Sequence, residues 1–166
     1  MSDAYDIARQ LEDYAEAHGF VAPQAYFIVG EFNLTDGQGN GIYSDEAHLW
    51  CRSCADALLA RAHALMPADK REDNFVCATD ARGEDTCPHC MACGETLNGS
   101  ISSYAVGEEL AHYAEHPIEP GEAINPRQAV EIAMVLFAAG DSGEALALGR
   151  AALAAIDLPA EGQSND

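Results

Sequence analysis

Cys87-Pro88-His89-Cys90-Met91-Ala92-Cys93-Gly94, together with Cys51-Arg52-Ser53-Cys54 upstream, carries the strongest structural signal in this chain. The two stretches hold five of its six cysteines, and the remaining one, Cys77, lies between them. Two thiolates at positions i and i+3 of a tight turn can reach one Zn²⁺, and two such pairs complete a tetrahedral site of four sulfurs. The spacing therefore predicts a zinc site that joins two separate parts of the chain.

The second stretch offers two overlapping ligand pairs, Cys87 with Cys90 or Cys90 with Cys93. A metal-binding turn favours glycine directly after its second cysteine, because the chain turns there with a positive φ. Gly94 follows Cys93, which favours the later pair, although the sequence leaves open whether Cys87 or Cys93 is the fourth ligand. The predicted zinc ligands are Cys51, Cys54, Cys90 and Cys93, with Cys87 and His89 in reserve and His48 as a more distant candidate.

The arrangement around the first cysteine pair resembles the helix-side half of treble-clef zinc sites. Trp50 ends an apolar stretch, Cys51 follows directly, and residues 55–66 have the apolar spacing of a helix. In treble-clef sites a zinc knuckle elsewhere in the fold supplies the second ligand pair. The resemblance covers residues 48–66 and 87–98, with the knuckle after the helix in sequence, and it implies a zinc-binding protein with a four-cysteine site.

The segment Cys87-Pro88-His89-Cys90 also resembles the active-site tetrapeptide of thioredoxin-fold thiol oxidants. In that family the first cysteine follows an apolar strand and opens a helix, whose N-terminus stabilises the thiolate. Here the polar residues 82–86 precede the motif, and residues 93–99 contain two glycines. Thiol–disulfide exchange through Cys87 and Cys90 is therefore an alternative function rather than the first one.

The remaining periodicity predicts an α+β protein with an antiparallel hairpin and short strands around the zinc site. The predicted elements are an N-terminal helix over 3–18, hairpin strands over 25–32 and 42–50, short strands over 74–78 and 95–106, a short helix over 108–116, and a C-terminal helical hairpin over 126–139 and 144–156. We expect residues 1–106 to form an α+β zinc-binding core, residues 107–158 a helical part packed on it, and residues 159–166 a flexible tail.

The formal net charge of −20 is unevenly distributed. Residues 1–50 hold nine acids against one arginine and residues 101–166 hold eleven against two, whereas the cysteine-bearing middle is nearly balanced. Direct nucleic-acid binding is disfavoured, because phosphate affinity comes from lysine and arginine. Such acidity serves solubility, attracts a basic protein partner, or mimics nucleic acid against a DNA- or RNA-binding protein.

The sequence also disfavours several enzyme and membrane classes. It contains no Gly-x-Ser-x-Gly, Walker A or strand-borne Gly-x-Gly-x-x-Gly motif. A zinc-dependent hydrolase through His112 and His116 remains an alternative, but four cysteine ligands would close a zinc site to water. We find no signal region and no membrane span, and cysteines at metal spacing predict a reducing cytoplasm.

The resulting functional expectation is a small acidic zinc-binding protein that acts through protein–protein interaction. Its expected partner is a basic protein, and the sharper form of the prediction is an inhibitor or nucleic-acid mimic that occupies the basic groove of a DNA- or RNA-binding protein. Whether the chain is an enzyme, and its oligomeric state, are left open by the sequence.

Overall fold

The structure is a computed structural model that describes residues 2–156 of the chain. Within those residues the chain forms two compact units. The helical unit comprises residues 2–22, 82–87 and 100–156, and the cysteine unit comprises residues 23–81 and 88–99. The elements in chain order are α1 (Asp3–Ala17), β1 (Ala25–Val29), β2 (Phe32–Thr35), β3 (Gly41–Ser44), α2 (Arg52–Leu65), a 3₁₀ turn (Ala68–Asp73), β4 (Phe75–Thr79), β5 (Ala81–Glu84), β6 (Gly99–Ile101), α3 (Ser103–Glu115), α4 (Pro126–Ala139) and α5 (Gly143–Ile156).

The helical unit is arranged around α4, which buries half of its residues. Asn125 caps this helix by accepting a hydrogen bond from the Gln128 amide, and Pro126 occupies its first turn, where a missing N–H is tolerated. α1 packs on both α4 and α5. Its buried face consists of small and branched apolar residues, namely Ala4, Ile7, Ala8, Leu11 and Ala15. The helical unit therefore has its own hydrophobic core.

The cysteine unit is arranged around the antiparallel pair β1–β4, whose register runs from Ala25 opposite Thr79 to Val29 opposite Phe75. On the opposite edge of β1, Tyr26 and Trp50 exchange two backbone hydrogen bonds of 2.9 Å. α2 packs against both strands, and its residues Ala55 and Ala62 are fully buried. The sheet thus holds the chain in place directly before Cys51.

The predicted antiparallel hairpin between residues 25–32 and 42–50 is present but interrupted, with Tyr26 bridged to Trp50 and Phe32 paired with Ser44 at the start of the hairpin β2–β3. The sequence did not predict the pairing of β1 with β4 on the other edge of β1. The predicted strand breaks at Gly30, which has a φ of 82°. The Asn74 side chain donates a hydrogen bond of 3.0 Å to the Val29 carbonyl at this break, so the end of β1 is bound to residues near β4.

The α+β class, the N-terminal helix and the C-terminal helical hairpin are confirmed. α3 begins at Ser103, five residues before the predicted start at 108, because Ser102 accepts a hydrogen bond from the Ala105 amide and caps it there. The strand predicted over 95–106 is reduced to β6, which pairs with β5.

The expected division between residues 106 and 107 stays a prediction, and the two compact units divide the chain at other positions. α1 belongs to the helical unit, because its apolar face packs on α4 and α5. The tail expected over 159–166 lies outside the described residues. Within residues 2–156, no helix has the length and apolar character required to cross a membrane.

Candidate metal centre

The first cysteine pair lies at the start of α2. Cys51 occupies the N-cap position with an extended backbone, and Cys54 lies three residues later in the first turn. The Ala55 amide donates a hydrogen bond of 3.0 Å to the Cys51 carbonyl, which closes that first turn. The two sulfurs therefore come from positions three residues apart at the N-terminal end of one helix, as the sequence spacing indicates.

The second pair lies on a small knuckle formed by residues 88–97. The Leu97 amide donates to the Pro88 carbonyl at 2.9 Å, and the Cys90 amide donates to the Glu95 carbonyl at 2.8 Å. Between these bonds the chain reverses at Gly94, whose φ is 73° and whose amide donates to the Cys90 carbonyl at 2.9 Å. A glycine satisfies this left-handed conformation without strain.

A hydrogen bond between backbone groups connects the knuckle to the segment directly before the first cysteine pair. The Met91 amide donates a hydrogen bond of 2.9 Å to the carbonyl of Leu49, two residues before Cys51. Sequence reasoning missed this bond, since any residue except proline can supply a backbone amide. It fixes Cys90 next to the start of α2.

The structure brings four sulfurs together in one group, here called the cysteine cluster: Cys51, Cys54, Cys90 and Cys93. All four sulfurs lie within 4.8 Å of one another, and the Cys51 and Cys93 sulfurs are 4.0 Å apart. Zinc bound to four sulfurs at about 2.3 Å places those sulfurs about 3.8 Å from each other. The donor type and the spacing of the cluster therefore fit one tetrahedral metal ion.

The cysteine cluster is buried on one side and open on the other. Cys90 is fully buried, Cys51 is 6% exposed, Cys54 is half-buried and Cys93 is exposed. A bound metal ion would accordingly be covered by the knuckle and α2, with its contact to solvent on the Cys93 side.

The environment of Cys90 favours its thiolate. Burial raises the pKa of this thiol, but hydrogen bonds from the backbone amides of Cys93, Cys51 and Ala92 more than offset that effect and lower the pKa to about 7. Among metal-binding groups the thiolate, not the thiol, is the ligand. The amides of both turns thus stabilise the thiolate of Cys90, which is the form that binds a metal ion and the most buried of the four sulfurs.

The pKa of Cys54 shows the effect of crowding among the four sulfurs. Its hydrogen bond with Cys51, followed by burial, raises the pKa of Cys54 to about 12. Four sulfurs this close together cannot all ionise, because each new thiolate repels the others. A divalent cation removes that repulsion and takes the place of the protons.

The reserve ligands are not part of the cysteine cluster. Cys87 packs in the helical unit, where burial, followed by the charges of Glu131 and Glu109, raises the pKa of its thiol to about 12. His89 is exposed, and its backbone bridges to Thr96. Of the two predicted alternatives for the fourth sulfur, the structure brings Cys93 to the cluster.

His48, the more distant candidate, contacts aromatic rings instead. Its ring packs edge-on against Trp50 and Tyr43, at centroid distances of 6.0 and 5.4 Å. The Nδ1 atom of His48 and the Nε1 atom of Trp50 are buried and have no hydrogen-bond partner within the described part of the chain. We assign no ligand role to this pair.

The two histidines considered for a hydrolase lie at the end of α3. The rings of His112 and His116 are 5.1 Å apart, and both side chains are exposed. Across residues 2–156, the only group of three or more potential metal ligands is the cysteine cluster. The geometry therefore gives no third protein ligand to the histidine pair.

No protein-family model, no curated protein and no solved structure matches this chain.

Proposed function

We propose that this chain is a small zinc protein in which Cys51, Cys54, Cys90 and Cys93 hold one structural Zn²⁺. The mutual distances of the four sulfurs, all within 4.8 Å, support this proposal most directly. Four thiolates from the chain fill the tetrahedral positions of zinc, so no position is left for a water molecule or a substrate. A structural role follows from this closed donor set.

The zinc ion would connect the start of α2 to the knuckle. These two segments are 36 residues apart at their nearest cysteines, Cys54 and Cys90. A cross-link between them restricts the unfolded chain and adds the free energy of metal binding to that of folding. The ion would thereby stabilise the cysteine unit rather than perform chemistry.

The proposed activity is binding to a basic protein. Within residues 2–156 the helical unit carries fifteen Asp and Glu residues against four arginines, and the cysteine unit carries ten against four basic residues. Such an excess attracts and orients a cationic partner, and it opposes binding to phosphates. An inhibitor that occupies the basic groove of a DNA- or RNA-binding protein is the sharpest form of this proposal.

Native mass spectrometry of the untagged protein tests the metal part. We expect one zinc ion per chain, retained in Cys87→Ser and lost in Cys93→Ser. The two substitutions are matched, because both replace one cysteine of the same stretch. Zinc retained in Cys93→Ser and lost in Cys87→Ser would overturn the assignment of the fourth ligand.

Competition for a basic DNA-binding protein tests the partner part. The chain should displace a short fluorescent duplex from a lysine- and arginine-rich DNA-binding domain, with an effect that weakens as salt rises. Reversal of four exposed acids of the helical unit, Asp13, Glu16, Glu108 and Glu115, to lysine should abolish displacement. Reversal of four exposed acids of the cysteine unit, Glu31, Asp69, Glu72 and Asp73, is the control with the same change of net charge. No displacement by the unmodified chain would refute the partner proposal.

The thiol–disulfide alternative is less well supported. Attack on a disulfide requires a thiolate, whereas burial beside two glutamates raises the pKa of Cys87 to about 12. Cys90 belongs to the cysteine cluster, where a metal would occupy its sulfur.

A further inference from the structure

A shallow apolar groove runs along one side of α5 in the helical unit. It consists of two neighbouring cavities of about 230 and 300 Å³, and both are lined by Ile118 and Ala151. The first cavity is closed on its other side by Leu110 and Tyr113 of α3, and the second by the turn after Ile118. Because they share two lining residues, the cavities form one continuous surface, here called the α5 groove.

The length of the α5 groove matches a helical segment rather than a small molecule. Its lining residues on α5 extend from Glu144 to Ala155, which corresponds to about 16 Å at a rise of about 1.5 Å per residue. Two depressions in a row along one helix fit successive side chains of a peptide, at i, i+3 or i+4, and i+7.

The charges along the α5 groove are all of one sign. Three of the residues that line it are glutamates, namely Glu144, Glu119 and Glu122, and none of the lining residues is lysine or arginine. The Glu122 carboxylate accepts a hydrogen bond of 2.9 Å from the Glu119 amide. An apolar floor with an acidic rim is complementary to an apolar stripe flanked by cations.

We propose that the α5 groove is the docking site for an amphipathic basic helix of the protein partner. This inference rests on the proposed function, since it names the surface through which a basic partner binds. The apolar face of the partner helix packs on Ile118 and Ala151, and its lysine or arginine residues meet the three glutamates.

Two other occupants fit the charges less well. Residues 157–166 of the same chain contain three acids and no basic residue, so they would be repelled by the glutamates. A second copy of the chain in a two-fold contact would set the same glutamates against each other. A cationic helix avoids both conflicts.

The test is a titration of the ¹⁵N-labelled, zinc-loaded full chain with two synthetic peptides of equal length and equal positive charge. One peptide places leucine at i, i+3, i+4 and i+7 among lysines, and the other replaces each leucine with serine. We expect the leucine peptide to shift the amide signals of Ile118, Ala147 and Ala151 and to bind at least about tenfold more tightly than the serine peptide. An increase in salt should weaken both complexes.

Ala147→Arg adds a bulky cation to an exposed position of the α5 groove, and Ala138→Arg adds the same residue to an exposed position of α4 outside the lining. The first variant should lose binding of the leucine peptide by about tenfold, and the second should retain it. Equal binding of both peptides, with signals shifted elsewhere, would overturn the groove but leave the proposed basic partner standing. Binding of neither peptide would count against both the docking site and the proposed basic partner. Shifts of the groove signals when the protein alone is concentrated would assign the groove to a second copy.

Discussion

The sulfur of Cys51 lies 4.0 Å from the sulfur of Cys93, although 42 positions separate the two residues in the chain. A disulfide would require about 2.05 Å, and a tetrahedral zinc site requires about 3.8 Å. The separation of the two sulfurs therefore fits two ligands of one metal ion better than a disulfide. Hydrogen bonds within each element close the first turn of α2, which carries Cys51, and the knuckle, which carries Cys93. Each half of the candidate metal centre is thus closed by its own local hydrogen bonds.

Removal of the metal should unfold the cysteine unit selectively. Chelation is expected to lower the free energy of unfolding of this unit by several kcal/mol, because zinc binds comparable peptide sites with about 10–16 kcal/mol at neutral pH. Hydrogen exchange on the protein before and after treatment with a chelator measures this change through the amides of β1 and β4. The amides of α4 provide the internal control, since its core contains no cysteine of the cluster. Equal loss of protection in α4 and β1 would contradict the expectation.

Gly94→Ala should weaken zinc binding. The φ of Gly94 is 73°, and a residue with a Cβ in the left-handed region costs about 1–2 kcal/mol, which corresponds to roughly a tenfold loss of zinc affinity. Competition with a chromogenic chelator measures that affinity. Gly107→Ala in α3 is the matched control, because nothing lies within 4 Å of the added Cβ and alanine favours a helix. An unchanged affinity in Gly94→Ala would mean that the knuckle reaches the same geometry without glycine.

The sequence predicted the cysteine cluster correctly because its signals are local. Gly94 indicated which overlapping pair forms the knuckle, and the Cys51–Cys54 spacing indicated the first turn of a helix. The role assigned to the cluster, a zinc site, stays a prediction. α1, α4 and α5 were also predictable, since the caps and apolar stripes that define a helix lie within a few residues of one another, whereas α3 begins five residues before its predicted start.

The pairing of β1 with β4 was not predictable, because it depends on long-range partners. Residues 25–32 read as one continuous strand, but Gly30 interrupts it and the Asn74 side chain binds the Val29 carbonyl from 45 positions away. Similarly, the apolar pattern of α1 predicts an amphipathic helix but does not predict which elements cover its apolar face. Its packing on α4 and α5 assigns it to the helical unit. Neither relationship leaves a signal in the neighbouring sequence.

Gly149→Ala should destabilise the helical unit, although alanine is the better helix former. A Cβ at this position would lie 2.9 Å from Cγ2 of Ile7 and 3.2 Å from Cδ1 of Leu136, so we expect a net loss of about 1–3 kcal/mol in the free energy of unfolding. Urea denaturation followed by circular dichroism measures it. Gly143→Ala, at the start of the same helix and with nothing within 4 Å of the added Cβ, should show no such loss.

A double-substitution cycle tests whether Ile7 is the obstacle. Ile7→Ala alone removes buried methyl groups and should cost about 2–5 kcal/mol. If the close contact is the cause, Gly149→Ala combined with Ile7→Ala should cost less than the sum of the two single changes, because the added methyl group fills part of the space. Additive losses would place the strain elsewhere in the packing of α5.

Asp141 should make the stability of α1 dependent on pH in the acid range. Its carboxylate accepts hydrogen bonds from the Ala4 amide at 2.8 Å and from the Ser2 hydroxyl at 2.7 Å, at the N-terminus of α1. The bond from Ala4, followed by that from Ser2, lowers the pKa of Asp141 below its usual 3.8. The stabilisation is therefore complete above pH 3.8, and it is lost as the pH falls further and the folded-state carboxylate becomes protonated.

Asp141→Asn keeps an oxygen acceptor and removes the charge that attracts the positive end of α1. We expect the variant to be less stable than the unmodified chain at neutral pH, with a difference that shrinks as the pH falls below 3.8. Urea titrations between about pH 2 and 6, followed by the Ala4 amide signal, measure this difference in the helical unit and are insensitive to acid release of zinc from the cysteine unit. Asp13→Asn removes one negative charge from the exposed side of α1. Its difference in stability from the unmodified chain should not shrink as the pH falls. A difference for Asp141→Asn that stays constant through the whole range would mean that the charge of Asp141 does not provide the stabilisation.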